Sequence, residues 1–188
     1  MRKAFKIILI LLAVCLIVSA VFALMTFGDL ASYTATGAEI RTPMGTLVGK
    51  AMVVYDPGLS GVAKDAASKI ADGLKSNGYE VTFAGVRSSV AANTSGFNII
   101  VVGGPIYAGK PTSSIQAYLT GLNTPPEVKV GVFGRGNGPA DSTDPNVIAN
   151  EVANLPRGSV MTLTTVMKIG DSDNVTARCQ EFVTALLD

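Results

Sequence analysis

The sequence predicts an α/β protein: a doubly wound, five-stranded parallel sheet with helices on both faces, preceded by one transmembrane helix. Three observations predict it. Short, fully apolar runs alternate with helix-period segments from Gly49 onward, as buried parallel strands require. Glycine-bearing loops follow three of those runs, at the end of a parallel sheet where ligands bind. An uncharged apolar stretch near the N-terminus is long enough to cross a bilayer.

That stretch runs from Ile7 to Phe27 (IILILLAVCLIVSAVFALMTF) behind Arg2, Lys3 and Lys6. About twenty apolar residues at ~1.5 Å each match a hydrocarbon core of roughly 30 Å. It is too long, and too apolar all round, for a core helix. A cleaved signal peptide is the open alternative, because Val21-Phe22-Ala23 has the form of a small-x-Ala cleavage site. The preceding cations place the N-terminus in the cytoplasm and the rest outside, at the cell membrane, with residues 7–27 in contact with lipid. Two sequons, Asn93-Thr94-Ser95 and Asn174-Val175-Thr176, are compatible with an outward domain. Residues 28–48 are rich in Gly, Thr and Ala and are expected to be a spacer, leaving 49–188 as the folded domain.

In that domain Ala51–Tyr55 is the first buried strand. After Asp56–Gly61, a helix over 62–77 aligns Val62, Ala63, Ala66, Ala67, Ile70, Ala71 and Leu74, with Asp65 and Lys69 as an exposed i,i+4 pair and Gly78 as its stop. Tyr79–Phe83 is the second strand, and Ala84–Gly96 carries no clear signal. Phe97–Val102 is the third strand; its loop, Gly103–Pro111, leads to a helix aligning Ile115, Tyr118, Leu119 and Leu122. Val128–Phe133 is the fourth strand, followed by the loop Gly134–Asp144. Asp144-Pro145 opens a helix as N-cap and first residue, and Pro156 closes it. Val160–Val166 is the fifth strand, and a last helix from about Asp171 aligns Val175, Cys179, Phe182, Val183 and Leu186.

Composition excludes several chemistries. The chain has 188 residues, room for one ordinary domain. It contains no histidine, which removes imidazole general bases, Ser-His or Cys-His nucleophiles and imidazole metal ligands. Cys15 and Cys179 are the only cysteines, one in the apolar run and one on an apolar helix face, so one chain builds neither a disulfide framework nor a Cys₄ metal site. The net charge of +1 becomes −2 without Arg2, Lys3 and Lys6, which gives no electrostatic footprint for nucleic acid.

From Gly49 to Asp188 the sequence resembles the flavodoxin family. The resemblance is carried by Asn98–Thr112 (NIIVVGGPIYAGKPT), similar to the family's hydrophobic run, Gly-Ser-Pro, Ile-Tyr and Gly-Lys-Pro. AMVVYD with GVAKDAASKIADGLKSNGYEVTF, and Val128–Gly134, are further matches. The resemblance implies strand order 2-1-3-4-5 and non-covalently bound FMN. It implies a phosphate loop at Asp56, Gly58, Leu59, Ser60, Gly61 and Val62. It implies ring contacts at Pro105, Ile106, Tyr107, Ala108 and Gly109, and a covering loop at Gly134, Arg135, Gly136, Asn137 and Gly138. The phosphate loop departs from the family pattern, since Leu59 and Val62 stand where threonines are characteristic and Asp56 adds negative charge.

The function implied is membrane-anchored electron transfer with redox proteins as partners, an electron carrier in preference to a substrate-converting enzyme. Two alternatives stay open: a flavin-free binding or scaffold module, motivated by Leu59 and Val62, and an FMN-dependent quinone reductase on the same fold.

Overall fold

A computed structural model of the chain describes residue 6 and residues 10–21, 35–138, 144–155 and 162–188. The chain divides into two units, Met1–Tyr33 and Thr34–Asp188. In the first, residues 10–21 form helix α1 with every residue exposed. Among the described residues, no helix is long and apolar enough to cross a membrane. The anchor expected over 7–27 therefore has no support from the structure, and both ends of that span lie outside the described residues.

The second unit carries the sheet. Its strands are β1 Ala38–Arg41, β2 Gly49–Tyr55, β3 Tyr79–Gly85, β4 Ile99–Tyr107, β5 Lys110–Pro111, β6 Lys129–Arg135 and β7 Thr165–Ile169. Its helices are α2 Val62–Ser76, α3 Ser113–Gly121, α4 Pro145–Val152 and α5 Val175–Leu187. The strand order is β1-β3-β2-β4-β6-β7, with β5 folded back on β4. The five central strands are parallel and occur in the expected order, counted along the chain as 2-1-3-4-5.

Two strands were not expected, which corrects the five-stranded sheet to seven. Strand β1 arises inside the predicted spacer and pairs antiparallel with β3, Ala38 opposite Ala84 and Arg41 opposite Val81. Its anchor is Arg41, whose guanidinium lies 4.3 Å from the Phe83 ring centroid and bonds Glu39, Ser68 and Asp72. Strand β4 extends five residues past the predicted Val102, through Gly103–Tyr107.

The alternation of buried side chains explains why the strand runs are wholly apolar. Ala51, Val53 and Tyr55 of β2 join a core under α2 and α5, while Met52 and Val54 join another under α3 and α4. Ile99 and Val101 of β4 face the first core, Ile100 and Val102 the second. Helix α2 buries Ala63, Ala66, Ala67, Ile70, Ala71 and Leu74 as its period predicts, while Val62, expected on the same face, is exposed at the first turn; the Asp65–Lys69 pair is present at 3.8 Å.

Two boundaries move. The fifth parallel strand is Thr165–Ile169, not Val160–Val166; of the predicted run, residues 160–161 lie outside the described ones. The shift brings Lys168 into the strand, where pattern reading treats a charge as a stop. Helix α5 starts at Val175, after Asp171: Asp173 accepts from Gly170 N at 2.8 Å in the turn, and Asn174 caps the helix by accepting from Ala177 N at 3.2 Å. Helix α4 opens as predicted, Asp144 accepting from Asn146 N at 2.8 Å with Pro145 as its first residue. It ends at Val152, ahead of Pro156, which lies outside the described residues.

Candidate functional site

The strand order reverses between β2 and β4, so their carboxyl ends flank a crevice. A cleft of about 740 Å³ opens there, within the size range of small-molecule sites. It is built from three loops and, unexpectedly, from α4 and the end of β7.

The loop after β2 is tied down by its first residue. Asp56 is buried, and its Oδ1 accepts from Gly58 N at 3.0 Å. Its Oδ2 accepts from Thr112 Oγ1 at 2.9 Å and from Ser114 Oγ, at the N-terminal end of α3. A carboxylate there satisfies donors and complements the helix dipole. Both oxygens of Asp56 therefore serve the fold, and Asp56 does not line the cleft: the negative charge expected to face a phosphate is engaged elsewhere.

The backbone continues at positive φ through Gly58 (64°), where a side chain would collide with Pro105 and the Tyr107 hydroxyl. Leu59 is 60% exposed and its N–H donates to Tyr107 Oη at 3.2 Å. Gly61 stands at the N-cap of α2 with no side-chain cap bond, so the first-turn N–H groups are not consumed by a capping side chain. Ser60 and Val62 line the cleft beside that helix end.

The second wall is a hairpin. Strand β4 ends at Tyr107, and β5 pairs Lys110 with Tyr107 and Pro111 with Ile106. The two connecting residues, Ala108 and Gly109, have φ of 52° and 73°, the left-handed pair that a tight primed turn needs. Pro105, Ile106, Tyr107, Ala108 and Gly109 all line the cleft, and Tyr107 is half-exposed at its lip.

Glycines expected to admit a ligand to the backbone mostly admit protein side chains. A Cβ on Gly103 would stand 2.1 Å from the Phe133 ring, and one on Gly134 would stand 2.4 Å from Ile106. Gly104 faces Ile115, and Gly136 faces Ile106.

The third wall follows β6. Arg135 is 8% exposed; its Nη1 donates to Ile169 O and pairs with Asp171, each at 3.0 Å. Among the described residues its Nε has no partner. Gly136 and Asn137 continue the wall, while Gly138 does not line the cleft. At the inner end Lys168 of β7 and Glu151 of α4 form an ion pair, 4% and 9% exposed, through Nζ and Oε1. Glu151 Oε2 has no partner among the described residues.

Of the expected residues, Ser60, Val62, Pro105 to Gly109, Arg135, Gly136 and Asn137 meet around one cleft. Asp56, Gly58, Leu59, Gly61, Gly134 and Gly138 do not line it. Glu151, Lys168 and Asp171 do, and sequence reasoning missed them. The only signal for Lys168 was a charge inside an apolar strand, and for Glu151 a charge on an apolar helix face; Asp171, in the turn after β7, had none. Cys179 is no redox group here: it is buried, burial pushes its thiol up to about 11, and its Sγ donates to Ala66 O.

No family model and no curated protein matches the sequence. Solved structures do. The flavodiiron core of Flv1 from Synechocystis overlays with a TM-score of 0.53 at 19% identity, covering 78% of this chain and 38% of that one. A flavo-diiron protein from Thermotoga maritima gives 0.51 at 14% identity, over 76% and 36%. Oxidised flavodoxin 2 from Bacillus cereus gives 0.48 at 16% identity, over 73% and 97%. The fold is flavodoxin-like. At these identities the likeness concerns the fold alone, and the two diiron proteins, with the higher scores, are spanned by this chain over little more than a third of their length. The flavodoxin-like sheet accounts for the position of the cleft. Its charged inner end is a property of this chain's own residues.

Proposed function

We propose that this chain is a flavin-binding electron-transfer protein that holds FMN non-covalently in the cleft. The observation carrying the proposal is the cleft at the sheet's switch point, with the N-terminus of α2 free of a side-chain cap at one wall and Tyr107 at the lip. The residues present fit the group. The Ser60 hydroxyl and first-turn N–H groups of α2 would hold the phosphate, because helix N-termini bind anions without a lysine. Tyr107 and the Ala108-Gly109 hairpin would cover one ring face, with Gly136 and Asn137 on the other side. The flavin, when bound, supplies the electron chemistry; the protein excludes water and sets the electrostatics around the ring. Arg135 and Lys168 supply positive charge at the inner end, each already paired with a carboxylate.

We also propose that residues 7–27 tether the protein to the cell membrane, N-terminus inside and domain outside. Support comes from the uncharged run and the leading Arg2, Lys3 and Lys6. Its partners are then redox proteins at that surface. Carbonate extraction of native membranes and protease protection test this; release into the carbonate wash would remove the tether, and an intact mass beginning after Ala23 would replace it with a cleaved signal.

Fluorescence titration of FMN with the purified protein tests the cofactor. Quenching with a micromolar or tighter Kd is expected; no quenching at tens of micromolar would sink the proposal. One observation favours the flavin-free scaffold as second reading: Leu59 and Val62 present exposed apolar surface, 60% and 42%, where hydroxyl donors would strengthen phosphate binding. A native protein purified without visible colour and refractory to FMN would establish that reading.

A further inference from the structure

Leu59, Val62 and Tyr107 expose apolar surface, at 60%, 42% and 41%, at the carboxyl end of the sheet. They adjoin one another: Leu59 N–H donates to Tyr107 Oη, and Val62 and Tyr107 line one cleft. The same end carries three exposed cations, Lys64 in the first turn of α2, Arg87 just after β3 and Lys110 in the hairpin. Among the described residues none of the three forms an ion pair. The exposed acids described at that end are engaged: Asp65 pairs with Lys69, Asp171 pairs with Arg135, and Asp144 caps α4. An exposed apolar cluster beside uncompensated positive charge is a surface that an anionic bilayer attracts.

The path of the chain selects this end. Arg87 N donates to Ala35 O and Gly85 N to Gly37 O, so the chain enters the domain beside the carboxyl end of β3. Residues 28–34 separate Ala35 from the apolar run that ends at Phe27. Eight Cα steps of at most ~3.6 Å bridge no more than roughly 29 Å. Strand β3, seven residues long, rises about 23 Å by itself, so a bilayer facing the opposite end would take up most of that length. The opposite end has exposed apolar side chains of its own, Met44 in the turn between β1 and β2 among them, and provides the comparison.

We propose that the cleft end of the domain docks on an anionic lipid surface, with Leu59, Val62 and Tyr107 entering the headgroup region and Lys64, Arg87 and Lys110 facing lipid phosphates. The inference rests on the membrane tether proposed above and adds to it which end of the domain meets the lipid. A short spacer keeps the patch close to the bilayer, so contacts that are weak singly act at a high effective concentration. The mouth of the cleft then opens at the lipid boundary, and a redox partner reaches it from the membrane side.

The chain contains no tryptophan, so a single introduced one reports its own surroundings. Full-length Leu59→Trp, Met44→Trp and Ile17→Trp are reconstituted in mixed phosphatidylcholine–phosphatidylglycerol vesicles, with and without bromine on the acyl chains. The readout is the ratio of emission in the two lipids, in which any loss to a bound flavin cancels. Ile17→Trp, inside the apolar run, reports on the tether, and Met44→Trp on the opposite end of the domain. Quenching is expected at 17 and at 59 and not at 44. Quenching at 59 should weaken in phosphatidylcholine alone, and also on Lys64→Gln, Arg87→Gln or Lys110→Gln, each cation being worth roughly fivefold in association. Quenching at 17 without quenching at 59, or equal quenching at 44 and 59, overturns the docking and leaves the tether intact. No quenching at 17 removes the tether and this inference with it. Hydrogen exchange on the unsubstituted protein keeps the test independent of how any variant folds. Amides of 58–62 and 107–110 should exchange more slowly on the mixed vesicles than on phosphatidylcholine alone, while those of 42–48 do not change; equal rates on both overturn the proposal.

Discussion

Two arginines stand near opposite edges of the sheet, and their surroundings differ in one respect. Arg41, on β1, has each guanidinium nitrogen engaged: Nε and Nη2 donate to Glu39, Nη1 donates to Ser68 and Asp72, and the plane stacks on Phe83. Arg135, at the end of β6, is more deeply buried yet leaves Nε without a partner among the described residues. The guanidinium of Arg41, near the surface, fastens an edge strand. The same contrast separates two acidic groups, Asp56 and Glu151. Both Asp56 oxygens bond to the protein, whereas Glu151 has one engaged oxygen and one without a partner among the described residues.

Substitutions can break this contrast. Glu151→Ala is expected to have the largest effect, because it strands Lys168 in a buried site; a loss of about 3–5 kcal/mol in chemical denaturation is expected. A loss below about 1 kcal/mol would mean that the pair is hydrated in solution. Arg41→Ala should cost less, about 1–2 kcal/mol, since its ion pairs are partly exposed and its stacking on Phe83 is the main loss. Hydrogen exchange should then show β1 amides opening before those of β2.

Cys179 offers a sharper case, a group that burial keeps neutral. Its thiol is held up at about 11 against an ordinary 9.0. The unfolded chain loses that proton first, so the contribution of Cys179 to stability is intact below pH 9 and disappears as pH rises towards 11. Urea midpoints measured across that window should fall more gently in Cys179→Ala than in wild type. The smallest effect belongs to the hairpin. Ala108→Gly removes a non-glycine residue from φ 52° and should stabilise by a few tenths to about 1 kcal/mol, visible as a small rise in Tm.

The sheet was legible because a strand buried on both faces has to be apolar throughout, as Ala51–Tyr55 and Ile99–Val102 are. Strand β1 was hidden for the opposite reason. Its four residues are mostly exposed, including Ile40, and its strongest attachment is the side chain of Arg41, which no periodicity records. The extension of β4 was hidden by Gly103 and Gly104, which look like loop residues and in fact make room for Phe133 and Ile115. Within the site, topology sufficed to locate Ser60, Tyr107 and Arg135 around one cleft. Glu151 and Lys168 escaped because each breaks an apolar pattern singly; only their pairing across α4 and β7 makes either intelligible.

Strand β1 also bears on how the protein behaves in company. An unpaired sheet edge is a template for other chains, and without β1 the edge would be β3, seven residues long. With β1 in place, the outermost strand is four residues long and sets a single exposed Ile40 between Glu39 and Arg41. A strand that short and that charged offers little for a neighbour to extend. The segment that looks like a linker thus guards one border of the sheet against aggregation.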